Sequence, residues 1–388
     1  MNKKKLLKFL LITASHILVA ALAVFVTLLL QPNRPSKLDE LQGLLEDKFI
    51  GETDSVAMED AAAEAMIASL GDRWSYYISA EEYAAHQEQK KNIYVGIGIT
   101  ISVREDTVGF DVLLVEPGSP AQEAGVLPGD ILTHAEGQPV AELGTDGAAA
   151  IIRGEEGTTV NVTFLRGDQV LELTMERRTI QVAVAEWQML PENIGYIKIN
   201  NFNSKCADET IQAIEELTAQ GATALIFDVR NNPGGYVAEL VEILDYLLPE
   251  GPLFRSVNYK GEESLDESDK DCVELPMAVL MNGNSYSAAE FFAAALEEYD
   301  WAITAGNPTT GKGYYQTTYQ LSDGSAVALS TGKYTTPNGV SLAEVGGLIP
   351  QIPVEVDQQT AAMIYAGALD PVDDPQVQAA VEALQTSN

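Results

Sequence analysis

The sequence predicts a multidomain protein of the α/β class, α+β once a strand-rich middle is counted, and three observations predict it. Residues 193–353 alternate apolar strand-like runs with amphipathic helical segments; residues 93–178 break into short alternating strands between glycine-rich turns; an uncharged stretch of about 22 residues, Phe9 to Leu30, follows a lysine-rich start. Strands that alternate with helices imply a sheet buried between helical layers. The expected divisions are residues 1–36, a cytoplasmic stub and transmembrane signal anchor; 37–92, a helical N-terminal region; 93–178, the strand-rich module; 179–354, the α/β core; and 355–388, a C-terminal segment with a short helix. A chain of 388 residues has room for an anchor and two or three globular units.

At the N-terminus, Lys3, Lys4, Lys5 and Lys8 precede the uncharged stretch, which is long enough to cross a bilayer as one helix. Basic residues before a span favour a cytoplasmic start, so the expectation is a single-pass cell-membrane protein with its body extracytoplasmic. No small-x-small cleavage site stands out between the span and Pro35, which favours a retained anchor over a removed signal peptide.

Lys37 to Lys91 reads as helical, with apolar residues at Leu41, Leu44, Leu45 and Phe49 and again from Ala61 to Leu70. The strand-rich module opens with YVGIGITI, Tyr94 to Ile101; Gly96 and Gly98 are not a dinucleotide fingerprint, because no third glycine follows at the required spacing. In the core the expected elements are a strand at Ile194–Ile199, a helix at Ala207–Ala219 and a strand at Ala224–Phe227. The turn DVRNNPGG follows, and then a helix at Tyr236–Leu248. Gly234 and Gly235 can take backbone conformations closed to other residues, which suits either a plain tight turn or the close approach of an amide to a ligand. Next come the apolar strand Met277–Met281, a polar turn Asn282–Tyr286, the helix Ala288–Tyr299 and a strand Trp301–Ala305. Residues 374–384 form the short terminal helix.

Chemistry concentrates in two of these turns. Ser287 opens a helix directly after a strand, an exposed position that meets the positive end of a helix dipole and favours a developing oxyanion. Ser287 with Glu290 is equally a capping box, in which the serine only satisfies backbone donors. A nucleophilic serine needs a base, yet the chain has only three histidines, and His16, His86 and His134 all lie far upstream. Lys312, 25 positions after Ser287 and flanked by Gly311 and Gly313, is the remaining base. The stretch GNPTTGKG ending at Gly313 is not a phosphate-binding loop, because the residue after the lysine is glycine rather than Ser or Thr, and Tyr314 to Leu321 alternates as a strand.

The run NGNSYSAAE, Asn282 to Glu290, with GKGYYQ, Gly311 to Gln316, resembles the active-site segments of carboxyl-terminal processing peptidases, also called tail-specific proteases. The resemblance implies Ser287 as nucleophile, Lys312 as base and Gln316 as its support. It also implies an oxyanion hole from the Ala288 amide and one amide of Gly234 or Gly235, and a crotonase-like peptidase core. Tyr286 and Ala289 depart from the family's usual alanine and serine, while Gln351 stands for an aspartate. Further matches are LGDRWSYY (Leu70 to Tyr77) and the pattern Gly332, Lys333, Tyr334, Thr336, Pro337. The string VEPGSPAQEAGVLPGDIL, Val115 to Leu132, resembles a PDZ domain. That likeness implies that amides around Gly96, Ile97, Gly98 and Ile99 hold the terminal carboxylate of a peptide added to an open strand edge. Arg153, at the end of the module, is a candidate for coupling peptide binding to the cleft, with a local salt bridge as the plainer role.

The implied activity is a membrane-anchored serine endopeptidase that recognises protein C-termini and cleaves through an acyl-enzyme, with no metal or organic cofactor. The alternative is a catalytically inactive, membrane-tethered PDZ adaptor; a complete Ser287, Lys312, Gln316 set argues against it. A lipid or small-ester hydrolase would need a histidine and a G-x-S-x-G turn. With 57 acidic against 23 basic side chains and a net charge of −34, the surface disfavours nucleic acid. The expected partners are protein or peptide substrates with exposed C-termini and the membrane. A homo-oligomer or regulatory partner stays open, because the flanking helices fit intramolecular packing equally well. Cys206 and Cys272 are too few to define a disulfide framework, and no cysteine–histidine group suggests zinc.

Overall fold

The computed structural model describes residues 13–20, 22, 36–104, 108–365 and 367–386. The anchor expected over residues 9–30 falls for the most part outside them; among the described residues no helix is long and apolar enough to cross a membrane. The described chain separates into two units between Leu70 and Gly71. The first holds the helices Lys37–Lys48 and Ser55–Ala68, capped by Ser36 and Asp54 and linked by a hydrogen bond from Gln42 Nε2 to Glu59 Oε1 of 3.3 Å. Neither helix buries a residue.

The second unit begins with a departure from the all-helical expectation for residues 37–92. Tyr76–Ile78 is a strand, paired antiparallel with Ala326–Ala328, and helix resumes only at Ala80–Lys90. Trp74, Tyr76, Tyr77 and Ile78 are aromatic or β-branched, and such residues take strand geometry when a sheet edge is there to pair with. Asp72 fixes the preceding turn by accepting from the Trp74 amide and the Ser75 hydroxyl.

The strand-rich module has its own core around Phe110, Val112, Leu132, Val160, Val162 and Phe164. Its sheet runs Ile99–Val103, Phe110–Val115, Ile131–Ala135, Thr159–Arg166, Gln169–Glu176, so Ile99–Val103 is an open edge; the helix Val140–Ile152 lies beside it. An antiparallel ribbon of Ile93–Gly96 with Arg178–Gln181 carries the chain in and out, which makes the module an insertion.

The core sheet runs Ala185–Leu190, Ile194–Ile199, Ala224–Asp228, Met277–Met281, Ala302–Gly306, Ile352–Pro353, parallel except for its first strand. Every residue of Ala224–Asp228 and Met277–Met281 is buried, as continuous apolar runs between helical layers require. The helices Cys206–Ala219, Val237–Leu247 and Ala288–Glu298 cover one face, while Val377, Ala380 and Leu384 of the helix Pro375–Thr386 pack on the other against Ile194, Ile226 and Leu280. A second, five-stranded antiparallel sheet joins Tyr76–Ile78, Gly251–Asn258, Glu263–Ser268, Tyr314–Gln320 and Ala326–Thr335. Cys206 and Cys272 are both free thiols.

A buried ionic array ties the start of the C-terminal helix to the core sheet. Arg230 pairs with Asp228 at 2.5 Å and with Asp374 at 2.7 Å, and donates to Gln376 Oε1 at 2.9 Å, while the Tyr196 hydroxyl donates to Asp228 at 2.6 Å. Burial alone would raise the Asp228 carboxyl; the Arg230 guanidinium and the hydrogen bonds outweigh it and hold the group below the ordinary carboxylate range. Arg230→Met leaves two buried carboxylates without their cation and is expected to cost about 3–5 kcal/mol in urea denaturation. A loss under about 1 kcal/mol would contradict this account of the array.

Candidate active site

Three turns meet because their strands are neighbours. Ala224–Asp228, Met277–Met281 and Ala302–Gly306 lie side by side and parallel, so the glycine turn 229–235, the serine turn 282–287 and the lysine loop 307–313 all leave from the same edge of the sheet. The carboxyl ends of parallel strands are where open α/β sheets build their ligand sites. The expected strand at Trp301–Ala305 is shifted by one residue, to Ala302–Gly306.

Side-chain amides and hydroxyls zip the first two turns. Asn231 exchanges hydrogen bonds with Asn282, 3.0 Å each, and accepts from Asn284 at 3.0 Å. Buried Ser285 donates to Val229 O at 2.7 Å, and the Tyr286 amide donates to Asn232 O. The result holds Ser287 at φ 60°, ψ −124°, a strained conformation for a residue with a side chain. Gly234, at φ 83°, packs directly beneath it: a Cβ there would stand 2.8 Å from Ala288 N and from Ser287 Cβ. Gly235 is equally tight but against Phe202, whose backbone a Cβ would meet at 2.1 Å. The Gly234 amide donates to Asn232 Oδ1 at 2.8 Å, whereas among the described residues the amides of Gly235 and Ala288 find no acceptor.

Glu290 joins serine and lysine. Its Oε1 accepts the Ser287 amide at 3.0 Å and the Lys312 amide at 2.6 Å; its Oε2 accepts the Gly311 amide and the Thr309 hydroxyl, both at 2.8 Å. Burial raises this carboxyl, opposed by those four hydrogen bonds. The Tyr334 hydroxyl closes the loop by donating to Lys312 O at 2.6 Å. The Lys312 amine, in a buried residue, is pushed down to about 8: burial disfavours its charge, Lys90 and Arg73 repel it, and Glu290 and Asp72 oppose the shift. Nζ lies 4.7 Å from the centre of the Trp74 ring and 5.9 Å from that of Tyr286, and is not hydrogen-bonded to Ser287 Oγ.

Ser287, Lys312 and Gln316 line one cavity of about 440 Å³ together with Gly234, Gly235 and Ala288. Gln316 donates its amide hydrogens to Tyr314 O and Ser330 Oγ, each at 3.1 Å, leaving Oε1 free of protein donors. Sequence distance misplaced His86: the helix Ala80–Lys90 brings it into this cavity, stacked on Tyr83, with Nε2 3.4 Å from the Tyr76 hydroxyl and Nδ1 buried without a partner. Arg73, Trp74 and Lys90 were also missed as lining residues. The run Leu70–Tyr77, dense in aromatics and charge and without helical period, is the signal for the first two.

In the inserted module, Ile97 and Gly98 present amides that find no acceptor among the described residues, next to the open strand starting at Ile99. Gly98 sits at φ 79° with no room for a Cβ beside Ser119, and Gly96 ends the ribbon strand. Arg153 stacks 5.3 Å from the Tyr94 ring centre and makes no salt bridge, so the plainer local role takes a cation–π form.

Residues 193–354 match the family described as Peptidase family S41, and residues 112–166 match the PDZ domain. The chain is 32% identical over 369 residues to the carboxy-terminal processing protease CtpA of Bacillus subtilis (strain 168), an overlap of 91% of this chain and 78% of that one. It is 32% identical over 330 residues to the carboxyl-terminal-processing protease of a Synechocystis species, covering 83% and 76%. Among solved structures, a candidate S41 protease from Bacteroides fragilis NCTC 9343 shares the fold, with TM-score 0.57, 15% identity and coverage of 90% and 97%.

Because any side chain at position 234 must push the serine turn away, Gly234→Ala is expected to cost about 1–3 kcal/mol of stability, read as a fall of several degrees in melting temperature. A melting temperature equal to the wild type's would refute the assigned packing.

Proposed function

Since the chain belongs to peptidase family S41, we propose that it is a serine endopeptidase acting on protein C-terminal tails, with Ser287 as nucleophile and Lys312 as general base. The observation that carries this reading is the shared acceptor: one buried oxygen, Glu290 Oε1, bonds the backbone amides of both residues and aims their side chains into a single cavity. The depressed lysine supports it, because a base must be uncharged to take a proton.

The lysine side chain has to swing from the Trp74 and Tyr286 rings to reach Ser287 Oγ. Catalytic hydrogen bonds are commonly long before substrate binds. The serine oxygen then attacks the peptide carbonyl carbon while its proton passes to Lys312 Nζ, and Gln316 Oε1 is free to accept from the amine. The oxyanion would lie against the amides of Gly235 and Ala288, the two without protein acceptors, and Gly234 would act as the spacer that lets the turns approach. Lys312 next returns the proton to the leaving nitrogen as the C–N bond breaks, giving an acyl-enzyme and a released amine. Water, deprotonated by the same lysine, attacks the ester and restores Ser287.

The PDZ module would hold the substrate tail, its terminal carboxylate on the free amides of Ile97 and Gly98 and its backbone along the open edge Ile99–Val103. The chain would be fixed to the cell membrane by residues 9–30 with its body extracytoplasmic; the support is the uncharged run behind Lys3, Lys4, Lys5 and Lys8.

Ser287→Ala and Lys312→Ala are each expected to lower kcat by at least about 10³-fold on an unfolded substrate, and Gln316→Ala by about 10-fold. For the wild type, kcat/KM should rise with pH through a midpoint near 8, the value of the Lys312 amine, because the protonated form is inactive. Turnover by Ser287→Ala at the wild-type rate, or a flat profile from pH 6 to 9, would end the dyad assignment. Separately, membranes washed with alkaline carbonate are expected to retain the full chain and release it once residues 1–36 are deleted; release of the full chain would remove the anchor.

A further inference from the structure

The cavity is electrically unlike the rest of the protein. In a chain with 57 acidic and 23 basic side chains, no Asp or Glu lines it, whereas Arg73, Lys90, Lys312 and His86 do. The cations divide by origin: Arg73 and Lys90 come from the segment that precedes the PDZ module, and Lys312 from the core loop. The apolar side of the cavity, with Val237, Leu240, Phe254 and Phe291, belongs entirely to the core.

Among the described residues neither Arg73 nor Lys90 has a carboxylate partner. Arg73 stacks its guanidinium 4.2 Å from the centre of the Trp74 ring and makes no hydrogen bond to any described residue, which leaves its fork of N–H groups unspent. Lys90 is half-buried, 5.7 Å over the Tyr236 ring, and donates only to the neutral Asn203 Oδ1 at 3.3 Å. Glu290 and Asp72 act on Lys312 from outside the cavity lining, whereas Arg73 and Lys90 face the cavity with no paired carboxylate among the described residues. Repulsion between such cations is relieved by an anion arriving with the substrate. The negative charge of the remaining surface is screened beyond about 8 Å at physiological salt, so at contact these local cations prevail.

We propose that Arg73 and Lys90 form a carboxylate-binding subsite beside the scissile bond, so that the enzyme favours peptides presenting an acidic side chain or a free terminal carboxylate within a few residues of the cleaved bond. This inference rests on Ser287 as the nucleophile that defines the cleft. It is separate from tail docking on the PDZ module, whose free amides lie at Ile97 and Gly98. A carboxylate has two sources here, and guanidinium recognition is common to both.

The test measures binding to full-length Ser287→Ala by fluorescence anisotropy, with peptides identical in their last residues so that PDZ docking is constant. Pairs differ by Glu against Gln at each position flanking the bond that the wild type cleaves; a further pair carries a free or an amidated terminus. The expected result is about 10-fold tighter binding of the carboxylate member in at least one pair, the worth of a charge-assisted hydrogen bond. That ratio should fall below about 2-fold in Ser287→Ala/Arg73→Gln/Lys90→Gln. If the terminal carboxylate is what the cleft reads, the acid-to-amide ratio falls in that variant; if only the PDZ module reads it, the ratio stays and the Glu/Gln pairs alone carry the subsite. Ratios near 1 in every pair, or ratios untouched by the substitutions, overturn the proposal. Should the triple variant fail to fold, Ser287→Ala/Arg73→Gln serves, since Arg73 is exposed at the cavity rim. Hydrolysis of the Gln peptides by the wild type reports on the dyad independently, so loss of one reading leaves the other standing.

Discussion

The arrangement depends on a buried carboxylate. Glu290 sits in the first turn of the helix that Ser287 opens, and a carboxylate without solvent must be hydrogen-bonded or neutralised. Four donors answer that demand, and they come from two places far apart in the chain: the serine's own amide, and the loop 309–312. The energetic requirement of one side chain therefore becomes a geometric statement about two others. The site also stores strain at Ser287, of order 1–3 kcal/mol for a non-glycine residue at such angles. The asparagine and serine contacts between the glycine and serine turns offset it.

The lysine is a compromise between opposed forces. Desolvation and the repulsion of Lys90 and Arg73 push it toward neutrality, while the faces of Trp74 and Tyr286 attract its charged form. An amine held on aromatic rings keeps its lone pair and protons uncommitted to the serine. The same two neighbouring cations that help discharge it line the cavity with it, so any anion entering there would act on the lysine's charge as well as on theirs.

Much of the core could be read from the chain. Met277–Met281 is a strand and Ala288 starts a helix because an unbroken apolar run and an S-x-x-E cap are local signals that tertiary packing did not contradict. Ser287 and Lys312 were legible as candidates from a strand-to-helix turn and the want of a nearby histidine, and Gln316 only through likeness to a family, since no periodicity links residues on different strands. Glu290 was legible as a cap but not as the acceptor of the Lys312 amide, which requires a loop closure invisible to any window of sequence. His86 was discounted for lying far upstream, yet the pairing of Tyr76–Ile78 with Ala326–Ala328 carries its helix to the cavity. That pairing also defeated the helical reading of residues 71–78. Which of the Gly234 and Gly235 amides is occupied depends on the direction of the Asn232 side chain, which no sequence pattern reveals.

The helix Pro375–Thr386 supplies the apolar cover for the far face of the sheet, and Asp374 completes the Arg230 array. Ile226 and Arg230 are nevertheless made about 150 residues earlier. At roughly 5–20 residues per second of synthesis, that face waits on the order of 7–30 seconds for its lid. During that interval the nascent chain displays an oily surface and an uncapped cation, an opening for chaperone capture. The sheet from which the glycine, serine and lysine turns leave therefore stays open on that face until the later segment packs, so the geometry of those turns is set well after the strands that carry them are made.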